Sequence, residues 1–93
     1  MKKKSFTIKN MLGIHARPAR LIVETASQYE SDIYLSKSEE QINAKSIMGI
    51  LMLEASHGSE VELIVDGKDE NEAMEALEGV FHELETKEEW DQI

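Results

Sequence analysis

The 93-residue chain has no cysteine, which excludes a disulfide scaffold, a thiolate zinc site and an iron–sulfur cluster. It also lacks a long apolar run. The stretch from Ile47 to Leu53 has seven residues, far short of the ~20 that a membrane-crossing helix needs. Cations are scarce: ten Lys and Arg stand against nineteen Asp and Glu, for a net charge of −9. That balance argues against nucleic acid or an anionic membrane as partner, because phosphates must be met by clustered cations. No internal repeat, low-complexity tract or linker breaks the chain, so one domain over residues 1–93 is expected. A chain this short buries only ~60–65% of its unfolded surface and holds one modest core. Lys2, Lys3 and Lys4 are followed by Ser5, Phe6 and Thr7 and not by an apolar stretch. No signal peptide is read there, and a cytoplasmic location is the expectation.

What is present is ordinary globular composition, 41% hydrophobic and 31% charged, with an uneven placement of charge. Six of the ten cations fall in the first twenty residues (Lys2, Lys3, Lys4, Lys9, Arg17 and Arg20), and eleven of the nineteen acids lie from Asp66 onward. Anion chemistry, if any, is therefore expected in the N-terminal third.

Hydrophobic periodicity divides the chain into seven elements. Ser5 to Ile8 alternates, with Phe6 and Ile8 on one face of a strand. After a turn at Gly13, Ala19, Ile22, Val23 and Ala26 recur at helical spacing. Asp32 to Ser36 alternates again, and the polar stretch Lys37 to Glu40 leads to a short strand at Gln41 to Asn43, a hairpin pattern. Ser46 opens a short apolar helix over Ile47 to Leu53, with Ile47, Ile50 and Leu53 inward and Met48, Leu51 and Met52 near the surface. Glu60 to Asp66 forms the clearest strand. Asp69 starts a last helix with the stripe Ala73, Leu77, Val80, Phe81 and Leu84. The order β-α-β-β-α-β-α implies an α+β fold with an antiparallel sheet and helices on one face. Asp32, Ser36, Glu60 and Glu62 are expected on the solvated face.

The chemistry concentrates in Gly13-Ile14-His15-Ala16-Arg17-Pro18-Ala19. His15 falls at or near the N-cap of the first helix, and the single proline, Pro18, sits in the first turn, where its missing N–H breaks no helical bond. The N–H groups of Ala16 and Arg17 then lie at the positive end of the helix. An anion beside His15 would meet those donors, the helix dipole and the Arg17 guanidinium together. A neutral imidazole exists near neutral pH and attacks without a strong base. These parts suit a histidine that accepts a phosphoryl group and passes it on. A lone histidine before a helix is more often an indifferent loop residue; the surrounding string is what points to chemistry.

That string resembles the active-site signature of the HPr family, the histidine-containing phosphocarriers of the bacterial phosphotransferase system. Asn43-Ala44-Lys45-Ser46-Ile47-Met48-Gly49-Ile50-Leu51 resembles the family's regulatory-serine motif, and Gly67-Lys68-Asp69-Glu70 its approach to the final helix. The similarity runs from about residue 3 to 84. It implies an open-faced β-sandwich: a four-stranded antiparallel sheet with three helices on one face. It implies a phosphocarrier with no cofactor, phosphorylated on Nδ1 of His15 by enzyme I, itself charged from phosphoenolpyruvate, and passing the group to a sugar-specific enzyme IIA. Arg17 and the Ala16 and Arg17 N–H groups would hold the phosphoryl group. Ser46 would be phosphorylated by the family's ATP-dependent serine kinase/phosphorylase. A monomer is expected. A nitrogen-branch or mainly regulatory paralogue is the alternative, and a non-catalytic adaptor that uses only the apolar patch is a third reading.

Two positions depart from the family pattern: Arg20 and Leu12 stand where small residues are expected, beside the site. Ser46 is on first principles an N-cap, a preference that contributes roughly 1 kcal/mol. Exposed Met and Leu after it suggest a docking patch of Ala16, Arg20, Ile47, Met48, Leu51 and Met52, because methionine adapts to several partners. His57 and His82 read as surface residues, and no metal site is expected. The segment from Thr86 to Ile93 extends beyond the similarity and reads as a flexible tail.

Overall fold

Strands β1 (Lys2–Thr7), β2 (Asp32–Lys37), β3 (Glu40–Asn43) and β4 (Glu60–Asp66) pair in the order β1-β4-β2-β3. Every pairing is antiparallel. Helices α1 (Ala16–Ala26), α2 (Ile47–Met52) and α3 (Glu70–Thr86) cover one face of this sheet, the expected α+β open-faced arrangement. The computed structural model describes residues 1–86. Lys87, Trp90 and the rest of the expected tail lie outside the described residues; Thr86, also assigned to that tail, is the last residue of α3.

Side-chain alternation in the central strands sets which face is dry. Val61, Leu63 and Val65 of β4 pair with Phe6, Lys4 and Lys2 on one side. On the other side Leu63 and Val65 meet Leu35 and Ile33. These rows pack under Ala19, Ile22 and Ala26 of α1, Ile50 of α2, and Ala73, Leu77, Phe81 and Leu84 of α3. A fully buried Leu or Ile here is worth about 1.5–3 kcal/mol relative to exposure. The Phe6 and Phe81 rings stack with centroids 4.5 Å apart, tying β1 to α3. The opposite sheet face carries exposed Asp32 and Glu60 and half-buried Ser36 and Glu62, which sit opposite each other.

Several boundaries and one orientation differ from the sequence expectation. β1 begins at Lys2, not Ser5, and ends before Ile8. Its lysines hid the alternation: Lys4 lies on the core-side row at the sheet edge, its Nζ 5.8 Å from the Phe6 ring centroid and 3.3 Å from Glu78. A long aliphatic stem can occupy such a row while its ammonium stays wet, and lysines at an edge also discourage further strand pairing. The hairpin is tighter than a four-residue link, since Lys37 pairs with Glu40 and Ser38 turns the chain with φ of 57°. Ile50 and Leu53 are buried as expected, but Ile47 is not inward: it is 38% exposed. In the first turn of a six-residue helix, the sheet is covered by the residue one turn later.

Candidate active site

The loop that carries His15 is built on a close backbone contact. Gly13 has φ of +67°, and a Cβ placed there would lie 2.5 Å from the Ala55 carbonyl oxygen and 2.8 Å from Ser56 Cα. Only glycine combines that conformation with that approach. The next N–H, on Ile14, donates to the Ala55 carbonyl at 2.8 Å. Asn10, buried, closes the loop from the other side: its Nδ2 donates to the Gly13 carbonyl at 2.6 Å, and its carbonyl accepts from Gly13 N–H at 3.1 Å. The sequence reading singled out Gly13 but missed Asn10 and Ala55. An Asn three residues before a Gly is a turn signal that could have found the first.

His15 is the N-cap of α1, with extended φ and ψ of −94° and −165° and no side-chain capping hydrogen bond. The helical ladder starts with Ala19 N–H donating to the His15 carbonyl at 2.9 Å. The N–H groups of Ala16 and Arg17 therefore precede the ladder at the positive pole of the helix. Pro18 is buried in the first turn and anchors it. His15 is half-buried, whereas Ala16, Arg17 and Arg20 are exposed. The expectation of anion chemistry across the whole N-terminal third narrows here. Lys4 and Lys9 pair with Glu78 and Glu85 of α3, at 3.3 and 2.5 Å. Arg20 Nε lies 3.8 Å from Glu24 Oε1 one turn on.

Ser46 occupies the same structural position in α2. Its Oγ accepts from Gly49 N–H at 3.1 Å, the bond expected of an N-cap serine. Lys45 fixes this end: its backbone N–H donates to Asn43 Oδ1 at 2.8 Å and its Nζ to the Tyr29 carbonyl, just past α1, at 2.7 Å. The opposite end of α2 leads to Ala55, which touches Ile14. Helices α1 and α2 therefore run antiparallel, and Ser46 stands at the end of α2 away from the His15 loop. The surface between them is apolar: Met48 and Met52 are 63% and 66% exposed, Leu51 36%, with Met11 and Leu12 also exposed on the His15 side. His57 and His82 are exposed and join no such cluster. Among the described residues no group of three or more His, Cys, Asp or Glu converges to hold a metal ion, and no helix is long and apolar enough to cross a membrane.

A sequence profile described as "PTS HPr component phosphorylation site" matches residues 2–83. The phosphocarrier protein HPr of Neisseria meningitidis serogroup A is 48% identical over 77 residues, covering 83% of this chain and 86% of that protein. The chain belongs to the HPr family. Its fold superposes on the crystal structure of HPr-C-His from Thermoanaerobacter tengcongensis with a TM-score of 0.88 and 45% identity, covering 94% of this chain and 98% of that one. It is also similar to the Bacillus subtilis catabolite repression containing protein Crh, at 42% identity and TM-score 0.72, over 89% of this chain and 95% of that one. This HPr-family chain is thus a phosphocarrier of the phosphotransferase system that moves a phosphoryl group through a histidine, with the serine regulation typical of the family. That role entails interaction with other components of the system.

Proposed function

We propose that His15 is the residue that carries the phosphoryl group, taking it from enzyme I and giving it to a sugar-specific enzyme IIA. The observation that supports this most directly is the position of His15 at the N-cap of an eleven-residue helix whose ladder starts only at Ala19. A phosphoryl group on the ring meets the Ala16 and Arg17 N–H groups and the Arg17 guanidinium, all favourable to anionic oxygens. In the transfer, a ring nitrogen lone pair forms the P–N bond as the bond from phosphorus to the donor group breaks. Two backbone donors and one exposed arginine stabilise the product without enclosing it, so the reverse step onto the next acceptor stays accessible.

Ala16, Arg20, Ile47, Met48, Leu51 and Met52 form the docking surface for enzyme I and enzyme IIA. Ser46 is the regulatory site, modified by a serine kinase/phosphorylase. The whole chain acts as one monomeric unit in the cytoplasm. A mainly regulatory role is the second reading, favoured by the Ser46 N-cap and the similarity to Crh. The two part on a transfer assay. With enzyme I and phosphoenolpyruvate, one acid-labile phosphate is expected per chain, absent from His15→Ala, and chased onto enzyme IIA when that is added. Label on His57 or His82 in the variant overturns the assignment to His15. Labelling of His15 with no onward transfer to any enzyme IIA favours the regulatory reading.

A further inference from the structure

The chain has five methionines and no cysteine, so its thioethers are the only side-chain sulfurs that a peroxide can oxidise. They fall into two environments. Met74 is 6% exposed within the core, whereas Met48 and Met52 are 63% and 66% exposed on successive turns of α2. Both lie on the apolar surface between the Ser46 cap and the His15 loop. Neither is needed to hold the helix in place, since Ile50 and Leu53 do that from its buried side.

We propose that Met48 and Met52 form an oxidation-sensitive modification site through which hydroperoxides suppress docking and hence phosphoryl flux. This rests on the docking surface described above. The chemistry needs only the peroxide. A lone pair on Sδ attacks one peroxide oxygen, the O–O bond breaks and an S–O bond forms. Sulfur loses two electrons to become a sulfoxide, and the other oxygen leaves with a proton as water or alcohol. The product exchanges an adaptable apolar thioether for a strongly polar, chiral group. Burying that group against an apolar partner surface leaves its oxygen desolvated without a hydrogen bond, which disfavours the complex. The free protein keeps its fold, because both oxidised side chains stay in water. Oxidation at Met74 would instead place the oxygen in the core and loosen α3. The modification is reversible by methionine sulfoxide reduction, which makes it a brake and not a lesion.

The test treats the full chain with hydrogen peroxide. It then maps each methionine by peptide mass, follows thermal unfolding, and measures the rate of enzyme I-dependent phosphorylation. Met48 and Met52 are expected to gain one oxygen each well before Met74, with the rate falling at least fivefold at an unchanged unfolding midpoint. Treatment with methionine sulfoxide reductases of both epimer specificities should restore the rate. Met1 and Met11 are exposed too, so a Met48→Leu/Met52→Leu chain is compared with its own untreated rate, and that ratio is expected near one. Wild type oxidised at both positions but undiminished in rate overturns the proposal, and so does a double-leucine chain as peroxide-sensitive as wild type. An untreated Met48→Gln/Met52→Gln chain separates the two layers of argument. If it transfers slowly while oxidised wild type does not, only the oxidation proposal fails; if it transfers at the wild-type rate, the docking surface fails and the proposal with it.

Discussion

The Asp69 carboxylate, at the start of α3, accepts hydrogen bonds from the backbone N–H and the hydroxyl of Ser31, the residue before β2. A further bond comes from Glu30 N–H at 2.8 Å. Gly67 packs directly on Ser31, where a Cβ would come within 2.6 Å of its Oγ. The Ser31 hydroxyl, and after it the Glu30 N–H, hold the Asp69 carboxyl below the usual carboxylate range. Glu70 is lowered in the same direction, first by the Gly67 N–H and then by the Met1 amine.

A carboxylate with a depressed folded-state pKa contributes stability that is complete above its unfolded-chain value and lost as pH falls through the folded value. The structure should therefore loosen in acid, beginning below about pH 4. In Asp69→Asn and in Ser31→Ala the stability at neutral pH should drop and its dependence on pH between about 4 and 2 should flatten. Denaturant titrations of the three proteins across that range check this. An acid slope identical in all three would mean that Asp69 is not among the groups responsible.

The backbone contact beneath the His15 loop yields a second prediction. Gly13→Ala forces a β-carbon into the left-handed region and into the Ala55 carbonyl, a backbone atom that cannot swing aside. The conformational part alone costs roughly 1–2 kcal/mol. Gly58 offers the control: its φ is +88°, and a Cβ there meets nothing within 4 Å. Gly58→Ala should lose only the conformational part. Gly13→Ala should be less stable than Gly58→Ala by at least about 1 kcal/mol, a further ~4–8 °C in Tm for a domain of this size. It should also phosphorylate more slowly, because His15 moves with the loop. Equal Tm values for the two variants would show that the 55–56 segment yields.

These two sites mark how far the residues alone reach. Helix α1 was legible because Ala19, Ile22 and Ala26 keep a helical period with Pro18 in the first turn, a local pattern that tertiary packing only reinforces. His15 as N-cap followed from the same reasoning. The start of β1 was not legible, because Lys2 and Lys4 occupy core-side positions at an edge where only their stems need to be apolar. The Gly13–Ala55 and Asp69–Ser31 contacts join residues about forty apart, and no periodicity reports a contact between distant loops. Ile47 failed for another reason. In a helix of six residues, hydrophobic spacing cannot separate the buried stripe from an exposed apolar one, and here both are present.

Arg17 makes the third prediction. At the second position of α1 it is exposed, so its removal should leave the fold intact. A charge-assisted hydrogen bond to a phosphoryl oxygen is worth about 1.5–3 kcal/mol, and Arg17→Ala should slow transfer by roughly ten- to a hundredfold. Arg17→Lys should recover only part of the rate, because an ammonium lacks the planar fork. Rapid-quench measurement of phosphohistidine formation checks this. Wild-type rates in Arg17→Ala would leave the Ala16 and Arg17 N–H groups sufficient on their own.

The last prediction concerns Ser46 and separates a damaged cap from a blocked partner. Ser46→Ala removes the acceptor for Gly49 N–H and should cost about 1 kcal/mol without inhibiting transfer. Phosphorylation keeps an acceptor at that position and adds about −1.5 to −2 charges at a helix N-terminus, so the fold should be unharmed or stabilised by ~0.3–1 kcal/mol. Because α1 and α2 run antiparallel, this charge lies at the end of α2 away from the His15 loop, with Met48 in the first turn beside it. It should therefore act on the approach of enzyme I and not on the imidazole. The rate of enzyme I-dependent phosphorylation should fall about tenfold for each ~1.4 kcal/mol of docking lost, chiefly as a raised KM. Spontaneous hydrolysis of an existing phosphohistidine should stay unchanged. Ser46→Asp, with one charge, should shift KM in the same direction by less. Faster hydrolysis in the phosphoserine form would reveal direct coupling between the two caps. Inhibition in Ser46→Ala equal to that of the phosphoserine form would mean that the lost cap, not the added charge, is what slows transfer.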